Sequence, residues 1–313
     1  MAKVSCRKAF TTTLEKLAER DSSLFVVTAD SRGSATAGGF AQRFPEQFVE
    51  VGIAEQNAVA IAAGLASVGK KVFVTGPACF LAARSYEQVK VDVTYNGSNV
   101  KVVGVSAGVS YGPLGGTHTS LHDFAGFRAL PNFEIFAPCD SVQTRALTEY
   151  LAQSDLPAYM RTGRGDVEAV YNESETFNIH KAKVVRRGDD LTLIACGETV
   201  WHAKQAAEQL ASDSVSIRVL DMFCLKPADE EAIVQAARET GAIITIEEHS
   251  VHGGLGELVC GVTARNCPVP VRTLGFPDAE YKVGRSSELF EYYGLDAAGI
   301  AVAAREMLGR AKP

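Results

Sequence analysis

The chain has 313 residues, 46% of them apolar and 22% charged, with a formal net charge of −6 at pH 7. That composition is globular and excludes a disordered, collagen-like or low-complexity polymer. The lack of a long Lys/Arg run sets aside a nucleic-acid partner, because neutralising a phosphate backbone takes a basic stripe.

The first segment, MAKVSCRKAFTTTLEKLAERD, interleaves charge with an amphipathic pattern and has no apolar run behind it, so it reads as a helix (6–20) and not as a leader. Short β-branched runs follow at 24–30, 70–76, 100–108, 133–138 and 158–163, separated by helix-like segments at 53–69, 82–95 and 141–154. This alternation predicts a doubly wound parallel sheet, and near-continuous apolar strands suit a sheet covered on both faces. Between 165 and 187 the rhythm lapses into polar, charged sequence, read as a linker ending in a turn or hairpin. It then resumes as DLTLIACG, ETVWHAKQAAEQLASD, VSIRVLDMF, PADEEAIVQAARETG, AIITIEEHS, LGELVCGVTARN and VPVRTLGF, a second and smaller α/β domain. Asp140-Ser141 and Pro227-Ala228-Asp229 supply helix-start signals. No stretch reaches the roughly 18 uninterrupted apolar residues of a membrane span, and the length suggests about two domains. The cysteines at 6, 79, 139, 196, 224, 260 and 267 are scattered without a C-x-x-C pair, which fits a reducing cytoplasm and argues against a zinc ribbon or disulfide framework.

Four segments can carry chemistry. Glu55 stands at the start of an Ala-rich helix that is apolar almost all round and therefore expected to be buried. It reads either as a helix-start carboxylate paired with backbone amides or as a buried carboxylate that hydrogen-bonds a ring nitrogen of a ligand. Phe80, in TGPACFLAARSYEQV, can pack in the core or stack on a planar heterocycle. His118 closes the Gly-rich stretch VSAGVSYGPLGGTH after a strand, where doubly wound sheets bind ligands, and is a candidate for proton transfer or hydroxyl recognition. His118 and His122 stand four apart, but no acidic residue lies between them and no third ligand is evident, so a metal is not expected. Arg161 and Arg164, in PAYMRTGRGD, suit a phosphate or carboxylate, or a surface salt bridge. EEHSVHGGLGE (247–257) lacks the dinucleotide-binding spacing and reads mainly as a structural turn.

Taken in order, GIAEQ, GLA, RSYEQV, GGTH, PNFEIFAPCD and PAYMR resemble the C-terminal half of transketolase, with deoxyxylulose-phosphate synthases also similar. The resemblance covers essentially the whole chain and implies a thiamine-diphosphate pyrimidine-binding domain at 1–170, a linker at 171–186 and a transketolase C-terminal domain at 187–313. It implies that Glu55 is the glutamate that protonates the cofactor's aminopyrimidine ring, that Phe80 stacks on that ring, and that Asp30 borders the cofactor. It also implies that His118 faces substrate hydroxyls, and that Arg161, Arg7 and Ser34 hold a substrate phosphate. The implied reaction is transfer of a two-carbon ketol unit from a ketose to an aldose.

The family also needs a diphosphate domain that holds Mg²⁺ through a G-D-G…N stretch, and no GDG occurs here. The implied protein is therefore one subunit of a split enzyme, active only with a partner that carries the missing domain, in an expected heterotetramer. Four positions depart from the family pattern: Leu114 where an acidic residue is common, Ser106 where many have a second histidine, Pro77 where an aromatic is usual, and Asn57 where the synthases carry histidine. These departures point away from ordinary pentose phosphates and towards a branched, deoxy or otherwise modified sugar phosphate. The β chain of a 2-oxoacid dehydrogenase, a decarboxylating synthase-like subunit and a non-catalytic scaffold are the competing readings.

Overall fold

The computed structural model describes residues 3–311. Its larger sheet has seven strands in the order Cys224–Lys226, Glu134–Phe136, Ala158–Thr162, Val100–Val105, Lys71–Pro77, Leu24–Thr28 and Phe48–Glu50. All are parallel except Cys224–Lys226, which runs antiparallel to Glu134–Phe136. Val100–Val105 is buried at every position, as a central strand covered on both faces must be. The second sheet has five strands in the order Val271–Phe276, Ile243–Ser250, Leu191–Ala195, Ile217–Asp221 and Lys183–Arg186. Its first four are parallel and Lys183–Arg186 adds an antiparallel edge, inside the stretch read as linker.

Both helix-start signals are realised. Asp140 Oδ1 accepts from Gln143 N at 2.8 Å ahead of helix Ser141–Gln153, and Asp229 Oδ1 accepts from Ala232 N at 3.3 Å ahead of helix Glu230–Thr240. Several elements escaped the sequence reading, helices Ser286–Tyr293 and Ala297–Ala311 among them; two are strands too short for a period to show, Phe48–Glu50 at the sheet edge and Cys224–Lys226, which lies beyond the linker yet pairs with the first sheet. The two units share a core. Phe124, Phe127 and Tyr159 of the first pack in one apolar cluster with Ile194, Met222 and Leu255 of the second. Among the described residues no helix is long and apolar enough to cross a membrane.

One expectation is corrected. Helix Glu55–Ser67 is not buried all round: Ala58, Val59, Ala62 and Ala63 face the sheet, whereas Asn57, Ala60 and Gly64 are exposed and Ile53, just ahead of it, is 77% exposed.

Candidate active site

In the first sheet the chain leaves Leu24–Thr28 for the outer edge at Phe48–Glu50, then returns to the opposite side at Lys71–Pro77. Strand order reverses there, and a crevice opens at the carboxyl ends of the two strands, the usual ligand position in such sheets. A cavity of about 270 Å³ occupies it, lined by Asp30, Ser34, Glu55, Phe80 and His118 together with Ile53, Pro77, Arg84, Tyr111 and Leu114.

Glu55 forms the polar floor. It begins helix Glu55–Ser67, is 6% exposed, and its Oε1 accepts from Arg84 Nη1 at 2.9 Å, so its partner is a side chain of the facing helix and not the amides of its own first turn. The Arg84 guanidinium lies 4.0 Å from the centre of the Phe80 ring. Glu55 and Phe80 thus hold between them a flat cation that donates N–H to the carboxylate and lies over the ring, an arrangement a protonated nitrogen heterocycle can take over. Across the cavity, His118 meets Phe80 edge-on with ring centres 5.3 Å apart and Tyr111 with centres 5.6 Å apart, and its Nδ1 is 2.8 Å from Thr117 Oγ1.

Asp30 borders the cavity in a left-handed conformation with φ of 50°, an uncommon choice for a residue with a side chain. The Glu50 carboxylate holds it there, accepting from Asp30 N at 2.6 Å, Thr28 Oγ1 at 2.8 Å and Gly52 N at 3.3 Å. One carboxylate at the end of the edge strand therefore ties the Asp30 turn to the segment leading into Glu55.

The rim carries two cations and two hydroxyls in a chain. Arg7 donates from Nη1 to Ser34 O at 2.7 Å and from Nε to Arg164 O at 3.0 Å. Arg164 donates to Tyr111 OH at 2.7 Å while its guanidinium lies 4.5 Å from the Tyr111 ring centre, and Tyr111 OH donates to Ser34 Oγ at 3.0 Å. Burial, and then the neighbouring charge of Arg164, push the Arg7 guanidinium below its ordinary value. Two like charges held together create a local excess that an anion relieves.

Arg161, expected at a substrate phosphate, stands apart from this rim and is paired with Asp123 and Glu248. It is 6% exposed and sits between the two units, with Nη1 3.0 Å from Asp123 Oδ1 and Nη2 donating to Glu248 O at 2.9 Å. Burial works against the charge, but Asp123 and Glu248 outweigh it, so the guanidinium is held above its ordinary value. Arg164, three residues on and past the strand end, is the cation brought near the cavity. The sequence singled out both but could not tell which clears the strand. It marked Arg84 only as part of a polar helix opening, RSYEQ, and passed over Tyr111 and Glu50, the latter an acidic residue at the end of a strand too short to recognise. His122 is exposed, and among the described residues no group of three His, Cys, Asp or Glu side chains is placed to hold a metal ion.

Residues 2–169 match the family model "Transketolase, pyrimidine binding domain", and residues 180–300 match "Transketolase, C-terminal domain". The chain is 54% identical over 306 residues to a subunit of the apulose-4-phosphate transketolase of Phocaeicola vulgatus, covering 97% of this chain and 98% of that one. It is 36% identical to a subunit of the 6-deoxy-6-sulfo-D-fructose transketolase of a Clostridium species, covering 97% and 94%. Among solved structures, a split-gene transketolase described as an inactive β4 tetramer superposes with a TM-score of 0.88 at 36% identity, covering 98% of this chain and 99% of that chain.

Proposed function

This chain belongs to the transketolase family, and on that premise we propose that it carries the pyrimidine half of a thiamine-diphosphate site and transfers a two-carbon ketol unit between sugar phosphates once a partner chain supplies the diphosphate half with its Mg²⁺. The observation that carries the reading is the Glu55–Arg84–Phe80 arrangement. The cradle already accommodates a flat N–H cation against a carboxylate and an aromatic face, so its donor set fits the aminopyrimidine ring, with Arg84, whose side chain is 47% exposed, free to turn outwards. When bound, thiamine diphosphate supplies the carbanion chemistry that no side chain can, and the protein supplies orientation and charge.

In this proposal Glu55 hydrogen-bonds the ring nitrogen and holds a proton there, Phe80 excludes water from the ring face, and Asp30 fixes the cavity edge. His118 faces the sugar hydroxyls and moves a proton at the reacting oxygen. Arg7, Arg164 and Ser34 form the phosphate end. Leu114, 55% exposed on the wall, offers no hydrogen bond to the sugar chain. An apolar wall tolerates a missing hydroxyl or an added branch where a carboxylate would be left unpaired. The 54% identical relative is named for apulose 4-phosphate, and a ketose phosphate of that class is the substrate proposed here.

Two features support a split enzyme: no GDG occurs in the sequence, and the open face at Ile53, Asn57, Ala60 and Gly64 adjoins the cavity. The test is co-expression with a candidate partner chain containing GDG…N, followed by an assay of ketose-to-aldose transfer with Mg²⁺ and thiamine diphosphate. The assembly transfers a two-carbon unit, this chain alone does not, and Glu55→Gln leaves assembly intact but lowers kcat at least about 100-fold, the low end of a general acid–base contribution. Release of CO₂ from a 2-oxoacid, or a Glu55→Gln assembly with near-parental rates, would refute the reading.

A further inference from the structure

We propose that the C-terminal domain is the positioning element for the loop that carries His118, so that the second domain decides where this histidine stands over the cavity. The inference rests on the reading above in taking His118 to face substrate, and goes beyond it in giving the second domain a part in the site.

Loop 108–121 leaves the first sheet after Val100–Val105, and Tyr111 near its middle is tied to Ser34 and Arg164 of the first domain, yet both of its ends are anchored on the second unit. Both backbone polar groups of Val109 are held from there: Val109 N donates to Glu248 Oε1 at 2.8 Å, and Val109 O accepts from Ser286 Oγ at 3.0 Å. At the far end Ser250 N donates to Leu121 O at 3.0 Å. The side chains of Val109 and Leu121, 2% and 6% exposed, are buried in the apolar cluster of the second domain with Leu289 and Phe290. The two ends are closed on each other by Ser120 N donating to Gly108 O at 2.8 Å.

The glycines of the loop record how closely the domains approach. Gly108 has φ of +60°, and a Cβ there would run into the Glu248 carboxyl; a Cβ on Gly112 would run into Gly284 O and the Leu289 side chain. Further along, Gly115 faces Val283 and Gly116 faces the Tyr281 ring. The loop therefore lies flat on segment 281–289. His118, towards its far end, touches the first domain through the edge of Phe80. A ring-edge contact is worth only about 0.5–1.5 kcal/mol beyond burial and does not by itself set a side chain's position against a loop free to shift.

The test uses the full chain for hydrogen exchange and the reconstituted assembly for kinetics. Ser286→Ala removes the hydroxyl on Val109, Ser286→Thr restores it, and Tyr281→Ala removes an exposed ring from Gly116 without opening a core. We expect exchange of the 108–121 amides to quicken about fivefold in Ser286→Ala and Tyr281→Ala, the weight of roughly one net hydrogen bond. Strands Val100–Val105 and Leu191–Ala195 should be unchanged. The sugar KM rises by a similar factor, thiamine-diphosphate affinity stays put, and Ser286→Thr returns both readings to parental. Unchanged exchange in both variants, or faster exchange with an unmoved sugar KM, would overturn the proposal. A parental assembly that transfers no ketol unit would overturn the functional reading instead, while the exchange data still decide whether the second domain clamps the loop.

Discussion

Replacing Arg161 by Ala tests the proposal that this guanidinium serves the fold while Arg164 serves the substrate. The Arg161 guanidinium, 6% exposed, lies 3.0 Å from Asp123 Oδ1, donates to Glu248 O at 2.9 Å and stands 4.6 Å from the Phe124 ring centre. Asp123 is 1% exposed and keeps the Tyr159 hydroxyl, at 2.7 Å, once the arginine is gone. Breaking a buried pair from one side costs about 3–5 kcal/mol, against about 0–1 kcal/mol for a surface pair. At roughly 2–4 °C per kcal/mol for a chain of this order, Arg161→Ala melts about 10 °C below the parent. Arg164→Ala, which loses a hydrogen bond to Tyr111 at the rim, shifts stability by no more than about 1 kcal/mol but weakens sugar-phosphate binding about tenfold. Thermal and urea unfolding of both variants, with KM for a sugar phosphate in the assembled enzyme, reads the difference. An Arg161→Ala protein that melts like the parent and loses only sugar-phosphate affinity would refute the assignment and return Arg161 to the substrate.

Stability is expected to fall as pH rises from about 5 to 8. Burial raises Glu247 and Asp221 to about 7 and moves Glu198 and Glu248 upward as well. Unfolded carboxyls titrate near 4, so between about pH 4 and 7 the folded chain keeps protons that the unfolded chain has released. The stability present at low pH is then lost through the folded values at up to about 1.4 kcal/mol per pH unit per group. Urea midpoints across this range measure it, and a flat or rising profile is the contrary result. His118→Ala is expected to lower turnover and raise the sugar KM while leaving thiamine-diphosphate affinity unchanged. Titration of the cofactor into the variant assembly checks this, and an equal loss of cofactor affinity would place His118 against the cofactor instead.

Much of the architecture was legible because its signals are local. Strand runs of β-branched residues, the helix caps at Asp140 and Asp229, and the entry of Glu55 into an Ala-rich helix each rest on a few neighbouring residues, and each is found where the pattern puts it. The crevice follows too, since strand ends in a doubly wound sheet gather on one side. The rest depends on partners far apart in the chain. Arg161 and Arg164 share one short segment, but the first ends inside the sheet facing Asp123 and the second emerges beside Tyr111. Glu248 reaches Val109 across 139 residues and Ser286 reaches it across 177. Periodicity tells a side chain which face of its own element to take; it carries no information about which distant group will meet it there. That is settled when the two domains pack, because a buried charge or peptide group must find a partner among whatever the packing brings within reach.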